Sequence, residues 1–452
     1  MRRWIWLVFP VSSVIVGMAC DESRPVAPLD KEDADVEAST EDAAVPPPPV
    51  VELGRHDPKI TDTRRVVPSD GLPPQANALV SNNNLDVIRF DGKVFLVWRT
   101  APDHFASDKV LMHVVSSTDE TTWKHEKTFS LGTDLRECRF LDLNGSLVLY
   151  ISKLGSAPEK FQPQGVLFSK RAADGTWSEL GDVMRTPAGA VADAGNPDAG
   201  DAGSDAGTSA AMKGYIAWRT RSVKGRALMS TYLGGEHIYD FDGKPLDINL
   251  LTTTDGVTWE GVNPQKPVVS TGGGSEMDFT FGDDGTFFAV VRNEAGDETG
   301  FGSKVCRAPA NDITNWTCKH DRKKYDSPLM FWHDGEAYLV GRRNVTVSGD
   351  FDLQKPAENL MQTALQYGIE YRSHQKRCSL WRYVQNEDRI AYVLDFPSKG
   401  DTCFASVISG AAPDELVFYN YSSDIDGNDV TWAEGQVSPT FIYRHTVKFQ
   451  AK

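Results

Sequence analysis

Histidine and cysteine are scarce in this chain, nine and six residues among 452. No two cysteines have the spacing of a metal site, so no zinc centre is expected, and no other metal or cofactor is implied. Positive charge is also short, with 47 Lys and Arg against 63 Asp and Glu and a formal net charge of −16. Much of that charge is local. Residues 21–50 carry nine acids and two bases, and residues 186–211 carry four Asp and no base. Allowing for these segments and for Arg2 and Arg3, the remainder stands near −7, which argues against a nucleic-acid partner. A long apolar run is missing too; the one candidate, residues 4–16, is too short for a comfortable membrane span. The run Gly272, Gly273, Gly274 leads into a strand pattern and not a helix, so no phosphate-binding loop is implied.

What the N-terminus does contain reads as a signal and a tether. Arg2 and Arg3 form a positive region, residues 4–16 an apolar one, and the small residues Gly17 and Ala19 precede Cys20. The pattern resembles a bacterial lipoprotein signal peptide over residues 1–20. That resemblance implies acylation at Cys20, a membrane reached through the lipid anchor, and a place in the bacterial cell envelope, periplasmic or surface-exposed. Gly17 and Met18 depart from the commonest form of the motif. Plain secretion and an uncleaved anchor would share its charge and length. Residues 21–74 read as an acidic, Pro-rich linker. The stretch 21–49 has almost no aromatic or large aliphatic side chains and cannot bury enough surface to fold. The four prolines at 46–49 would stiffen its distal end.

From residue 75 to 452 the pattern is strand and turn. A unit recurs about every fifty residues: two short aromatic and β-branched strands meet at a turn, and a polar turn ending in Trp follows. Its clearest copies are S-T-D-E-T-T-W at 117–123 and T-T-D-G-V-T-W at 253–259. Looser copies are A-A-D-G-T-W at 172–177, N-D-I-T-N-W at 311–316 and D-G-N-D-V-T-W at 426–432. D-G and N-G between apolar runs are strong hairpin signals. Six such units predict an all-β fold, a six-bladed β-propeller of four-stranded antiparallel blades. The sixth unit reads one strand short, and a segment around 65–67 would complete it and close the ring. Two insertions interrupt the repeat. Residues 186–212, with their D-A-G triplets, read as a disordered inter-blade loop. Residues 352–373 read as helical, with Leu360, Met361, Ala364 and Leu365 as an apolar stripe, either a lid or an element packed on the scaffold. Five cysteines remain beyond Cys20. Cys306 and Cys318 flank one predicted hairpin, Cys378 and Cys403 make a second plausible disulfide, and Cys138 is then free. The chain is expected to be monomeric.

The Trp turns resemble the Asp-boxes of the sialidase superfamily. The strand pair D-V-I-R-F-D-G-K-V-F-L-V-W-R, with D-L-R-E-C-R-F, S-E-M-D-F, V-V-R-N-E and K-G-D-T-C-F, is similar to a bacterial sialidase-like family over about residues 77–445. The resemblance implies a glycoside hydrolase that holds the carboxylate of an anionic sugar with three arginines, suited to the task by their planar forks. It further implies a Tyr nucleophile activated by a Glu, and an Asp acid/base. Glu276 stands where the activating Glu is expected, Arg292 and Arg342 where the second and third arginines are, and Asp103 or Asp108 where the acid/base is. Two positions depart from the pattern. N-N-N-L-D at 82–86 occupies the place of the first arginine, and Cys403 with Phe404 occupies the place of the nucleophile. Tyr421 lies on the following hairpin. Thr100 stands where the relatives carry the Glu of F-R-E.

Arg99, Arg136, Glu137, Arg219, Glu276, Arg292 and Arg342 all fall at or near inner-strand ends. Gathered around an axis they would have to pair with one another or meet a ligand. More Arg than Glu suggests an anionic carbohydrate, with Arg99, Arg136, Arg292, Arg342 and His104 as binding residues. His104 is either a proton shuttle beside Asp103 and Asp108 or a surface loop residue. Trp98, Trp218 and Trp332 are sugar-stacking candidates or blade core. D-I-D-G-N-D at 424–429 is a calcium-like cluster or a polar turn, and lacks the Glu expected at its twelfth position. Two functions stay open. One is a hydrolase using Glu276 with Asp103 or Asp108. The other is a non-catalytic propeller that binds a glycan or a protein.

Overall fold

The hairpin signals become antiparallel pairs throughout a computed structural model that describes residues 45–187, 209–223, 225–240 and 242–452. The signal with Cys20, the tether as far as residue 44 and most of the D-A-G loop lie outside the described residues. Five sheets are four-stranded and antiparallel. In chain order, the first strands of the six sheets are Ser81–Phe90, Leu135–Leu143, Tyr215–Val223, Met277–Phe281, Leu329–His333 and Ser406–Ser409.

The third sheet corrects the expectation of six four-stranded blades, since it has seven strands. Its fourth strand, Thr258–Gly261, is cut short. Pro264 and Pro267 follow and offer no backbone donor to continue the ladder. Val268–Gly272 then folds back beside Leu246–Thr253. The vacant edge of Thr258–Gly261 is taken by Met184–Arg185, pairing in parallel, with Ala210–Ala211 beyond it. The ends of the 186–212 insertion are therefore partly ordered on this edge.

A second correction concerns the linker. Within residues 21–74, His56–Val67 is a twelve-residue strand paired with Thr440–Ala451. It is the outer strand of the last sheet, so that sheet joins the two ends of the described fold.

The core lies between adjacent sheets. Phe95 and Val97 meet Phe140 and Leu149 between sheets one and two, and Tyr150 meets Met229 and Trp259 between two and three. Phe288 and Val290 meet Leu339 and Trp381 between four and five, and Phe331 meets Phe418 between five and six. The Trp turns stitch these seams. Asp119 Oδ1 accepts from the Thr121 and Thr122 amides at 2.8 and 2.7 Å, and Asp255 Oδ1 from those of Val257 and Thr258 at 2.7 and 2.8 Å. Asp174 and Asp312 hold Thr176 and Thr314 likewise. Each carboxylate satisfies turn amides that no strand pairs. Two of the attached rings reach the preceding sheet: Trp123 lies 6.5 Å from Tyr419, and Trp259 lies 5.6 Å from Tyr150. The fifth copy behaves differently. Thr431 caps the short helix Trp432–Gln436, and the Trp432 ring meets the Arg342 guanidinium.

Helix Leu360–Arg372 forms inside the 352–373 insertion, with Asn359 accepting from the Gln362 amide as its N-cap. Its buried face is Thr363, Ala364, Tyr367 and Tyr371. Of the expected stripe only Ala364 is buried; Leu360, Met361 and Leu365 are exposed. The aromatic pair wins because Phe301 and Phe351 offer a matching aromatic surface. No helix of the described residues is long and apolar enough to cross a membrane.

Candidate functional site

The first strands of sheets one and two each carry an irregularity near their start. The register shifts between Asn83 and Asp86 and between Arg136 and Arg139, with Asn84 and Glu137 at φ +44° and +47°. A residue other than glycine pays strain in that region. Here the bulges bring Asn84 and Glu137 together, the Asn84 amide donating to Glu137 Oε2 at 3.0 Å. Asn84 thus occupies the region of the missing first arginine, as an uncharged donor.

Glu276 and Asp326 stand just before the first strands of sheets four and five, and Arg292 and Arg342 lie on the strands that follow. Arg292 Nη1 reaches Glu276 Oε1 at 2.9 Å, Glu294 Oε2 at 3.1 Å and Asp326 Oδ1 at 3.6 Å. Arg342 reaches Asp326 Oδ2 at 3.0 Å and donates to the Thr402 carbonyl at 2.5 Å. Lys324 bridges Glu294 at 2.6 Å and Asp326 at 3.5 Å. All six side chains are largely buried. Charges so placed are tolerable only as a mutually satisfied set.

Burial pushes the Glu276 carboxyl up to about 7; Arg292 opposes this, while Asp326 and Glu137 add to it. Burial likewise raises Glu137. Burial works against the charge of Asp326, but Lys324, Arg342 and Arg292 together hold it well below the usual carboxylate range. The site thus keeps one carboxyl group close to neutrality beside another firmly ionised.

Aromatic side chains close over the set. The Tyr371 hydroxyl donates to Asp326 Oδ2 at 2.7 Å, and Lys324 Nζ lies 4.0 Å from the centre of its ring. Trp432 lies over the Arg342 guanidinium at 4.8 Å and donates to Asp401 Oδ1 at 3.0 Å. Tyr421 donates to Asp401 Oδ1 at 2.9 Å and accepts from Arg342 at 3.4 Å. Burial raises the pKa of its hydroxyl well above normal, so it is no ready nucleophile. His104 Nδ1 lies 2.6 Å from Asp401 Oδ2. Burial disfavours the Asp401 charge, but His104 and Arg342 hold its pKa down.

Glu276, Arg292 and Arg342 are therefore brought together, with His104 joined through Asp401. Arg136 is adjacent: it donates to the His104 carbonyl at 2.8 Å and to Asp134 at 2.5 Å. Arg99 is not a ligand-facing residue. It is fully buried, and its donors are spent on Asp134 and on the carbonyls of Asp103 and Phe105. It positions the loop that carries His104. Asp103 turns its carboxylate back onto the Phe105 amide at 2.9 Å, and Asp108 is exposed. Neither acidic side chain is hydrogen-bonded to His104; Asp401 holds that place.

Asp326, Glu294, Lys324, Tyr371, Asp401 and Trp432 were not anticipated. Asp326 stands three residues before the first strand of sheet five, outside the strand pattern that marked Glu276. Tyr371 gave no signal because it lies in an insertion, and Trp432 was read only as the last residue of a Trp turn, not as the start of a helix.

Trp98 and Trp218 are core, and Trp332 stacks on Phe288 and donates to Asp283. The 424–429 cluster is a polar turn in which Asp429 pairs with Arg377 at 2.9 and 2.5 Å. Disulfides join Cys306 to Cys318 and Cys378 to Cys403, and Cys138 is a free buried thiol.

No family model matches the chain, and no curated protein matches it in sequence. Among solved structures, it is similar to a protein of unknown function from Dyadobacter fermentans, with a TM-score of 0.56 and 12% identity over 87% of this chain and 99% of that one. This is a likeness of fold. A Trypanosoma rangeli sialidase in complex with sialic acid matches at 0.49 and 11% identity, over 82% of this chain. A Hadza microbial sialidase matches at 0.45 and 10% identity over 82%. This chain spans 54% of the trypanosomal chain and 66% of the Hadza chain.

Proposed function

We propose that the protein is a sialidase-like propeller that recognises an anionic glycan at this cluster without retaining hydrolysis, and that the enlarged third sheet serves as the sixth blade of its ring. The observation that carries the reading is the meeting of Glu276, at the entry to the first strand of sheet four, with Arg292 and Arg342, on the second strands of sheets four and five. Hydrolysis through a tyrosine is disfavoured by Phe404, which lies against Arg139 and Trp218 and carries no oxygen. Because carboxylates already meet Nη1 of both arginines, an anionic ligand competes with them there. Glu276 is the candidate to give way, since neutralising it frees a donor of Arg292. Affinity for a carboxylated or sulfated sugar should therefore rise as pH falls through about 7.

A glycan array read at pH 5.5 and pH 8, with the wild type and Arg292→Ala, tests this. Stronger acidic-glycan binding at pH 5.5, lost in the variant and without turnover, is the expected result. Turnover of the same glycan would make the protein a hydrolase. A protein-interaction propeller is the second reading, favoured by the exposed Leu360, Met361, Leu365 and Ile369 on the covering helix. It would show as protein binding with an empty array. We further propose that the domain is a monomer tethered to the cell envelope by acylated Cys20. Labelling with a palmitate analogue, abolished by Cys20→Ala, would support the anchor; secretion of unlabelled protein would contradict it.

A further inference from the structure

A second concave site lies among the first strands and is lined by neither Glu276 nor Asp326. It is a cavity of about 410 Å³ to which every sheet contributes through its first strand: Val87, Phe140, Thr220, Thr280, Leu329 and Ser406. Such a wall is what closing six sheets about one axis produces. Phe404 lies beneath it, its ring 4.3 Å from the Arg139 guanidinium and 5.7 Å from that of Arg219.

The polar groups in this wall are unevenly satisfied. Asp86 accepts from the Phe140 amide at 2.8 Å and from the Ser406 hydroxyl at 2.7 Å, so both its oxygens are engaged. Asp278, just behind, accepts from the Phe279 and Met330 amides, each at 2.7 Å, and from Arg221 at 3.3 and 2.6 Å. Asp142 lines the cavity but is turned back onto the Gly145 amide at 2.9 Å. The arginines are the groups left short. Among the described residues, the Arg219 guanidinium has only the Pro328 and Ala405 carbonyls as hydrogen-bond acceptors, with Asp278 at 3.5 Å. Arg139 donates to the carbonyls of Trp218 and Leu85, yet its Nη2 is buried without any hydrogen-bond partner among the described residues. A buried guanidinium donor left unpaired is costly. Burial, and then the neighbouring Arg139, drive Arg219 down to about 9, the direction expected where cations crowd without enough anions.

We propose that this axial cavity is a binding site for a small oxyanion of the phosphate, sulfate or carboxylate class, held by Arg139, Arg219 and Arg221. Arg139 and Arg219 are anchored by their carbonyl contacts. Arg221 is the most accessible of the three and supplies the outer contact. Planar guanidinium forks suit an oxyanion better than a spherical halide. The site is independent of the glycan reading, because it shares no residue with the cluster around Arg292 and Arg342.

The test is calorimetric titration of the full chain with inorganic phosphate, sulfate and acetate against a sodium chloride series of equal ionic strength. A saturable oxyanion isotherm absent from the chloride series is expected. It should weaken by about tenfold or more in Arg139→Gln and in Arg221→Met. Arg221→Met keeps the test open if the buried variant fails to fold, and Arg292→Ala should leave the isotherm unchanged. No saturable binding, or binding unaffected in Arg221→Met and in any folded Arg139→Gln, would overturn the proposal. So would binding that Arg292→Ala abolishes, since the ion would then occupy the other site.

Discussion

Phe404 occupies the position at which the resemblance to sialidases asks for a nucleophile, but its ring is committed elsewhere. Trp218 approaches it at 5.4 Å, edge to face, and Arg139 lies over it at 4.3 Å. These contacts use the face of the ring and are favourable as they stand. Phe404→Tyr should therefore fold and still leave a fluorogenic sialoside intact; turnover above the wild-type background would show that the missing oxygen alone had silenced the site. Tyr371 tests the opposite kind of residue. Its hydroxyl donates to the ionised Asp326 at 2.7 Å. Removing a buried hydrogen bond to a charged group costs about 1.5–3 kcal/mol. Tyr371→Phe should show that loss in urea unfolding, with no change in the far-UV spectrum.

At the scale of elements, the seam between His56–Val67 and Thr440–Ala451 carries a pH dependence of its own. His445 pairs across it with Thr63, its Nδ1 lying 3.0 Å from Thr63 Oγ1, and Phe396 packs beside the ring at 5.3 Å. Burial, and to a lesser degree Arg444, push its pKa down to about 3. A histidine depressed in the folded state contributes stability that is present above its unfolded value of about 6.5 and is lost as pH falls toward 3. The loss approaches about 4 kcal/mol over that window. His445→Gln, which cannot ionise, should flatten the urea midpoint between pH 7 and pH 4; an unchanged slope would assign the acid sensitivity to other groups. The elements also show where the sequence was readable. Strands and Trp turns were legible because period-two alternation and Asp-to-amide turns are local signals. The covering helix was legible as a helix but not in its facing, because Tyr367 and Tyr371 answer to aromatic rings outside the helix, Phe301 and Phe351. Glu276, Arg292 and Arg342 were legible through strand position. Their partners Glu294, Lys324 and Asp326 were not, because the need for counter-charge arises only once the sheets meet.

At the scale of the whole molecule, adjacent sheets are held by interdigitated seams, and the first strands meet at a common cavity. Deleting residues 45–67 removes one strand of one sheet and unpairs the long edge of Thr440–Ala451. An exposed edge of that length invites association with other chains. The deletion should broaden thermal unfolding and raise the aggregated fraction in size-exclusion chromatography, both measurable against the full chain. A sharp, monomeric transition would mean that the seams hold the ring without the outer strand.

The same pairing imposes an order in time. Thr63 finds its partner 382 residues later, at His445. A chain emerging at about 5–20 residues per second leaves that outer strand waiting roughly 20–80 s. Through that interval Thr63 and its neighbours have no partner to bind, however early they are made. A product halted before Thr440 would carry nearly every blade and still lack the clasp. Premature termination would therefore be exposed by an unmatched edge, the kind of surface that proteases and holdase chaperones capture.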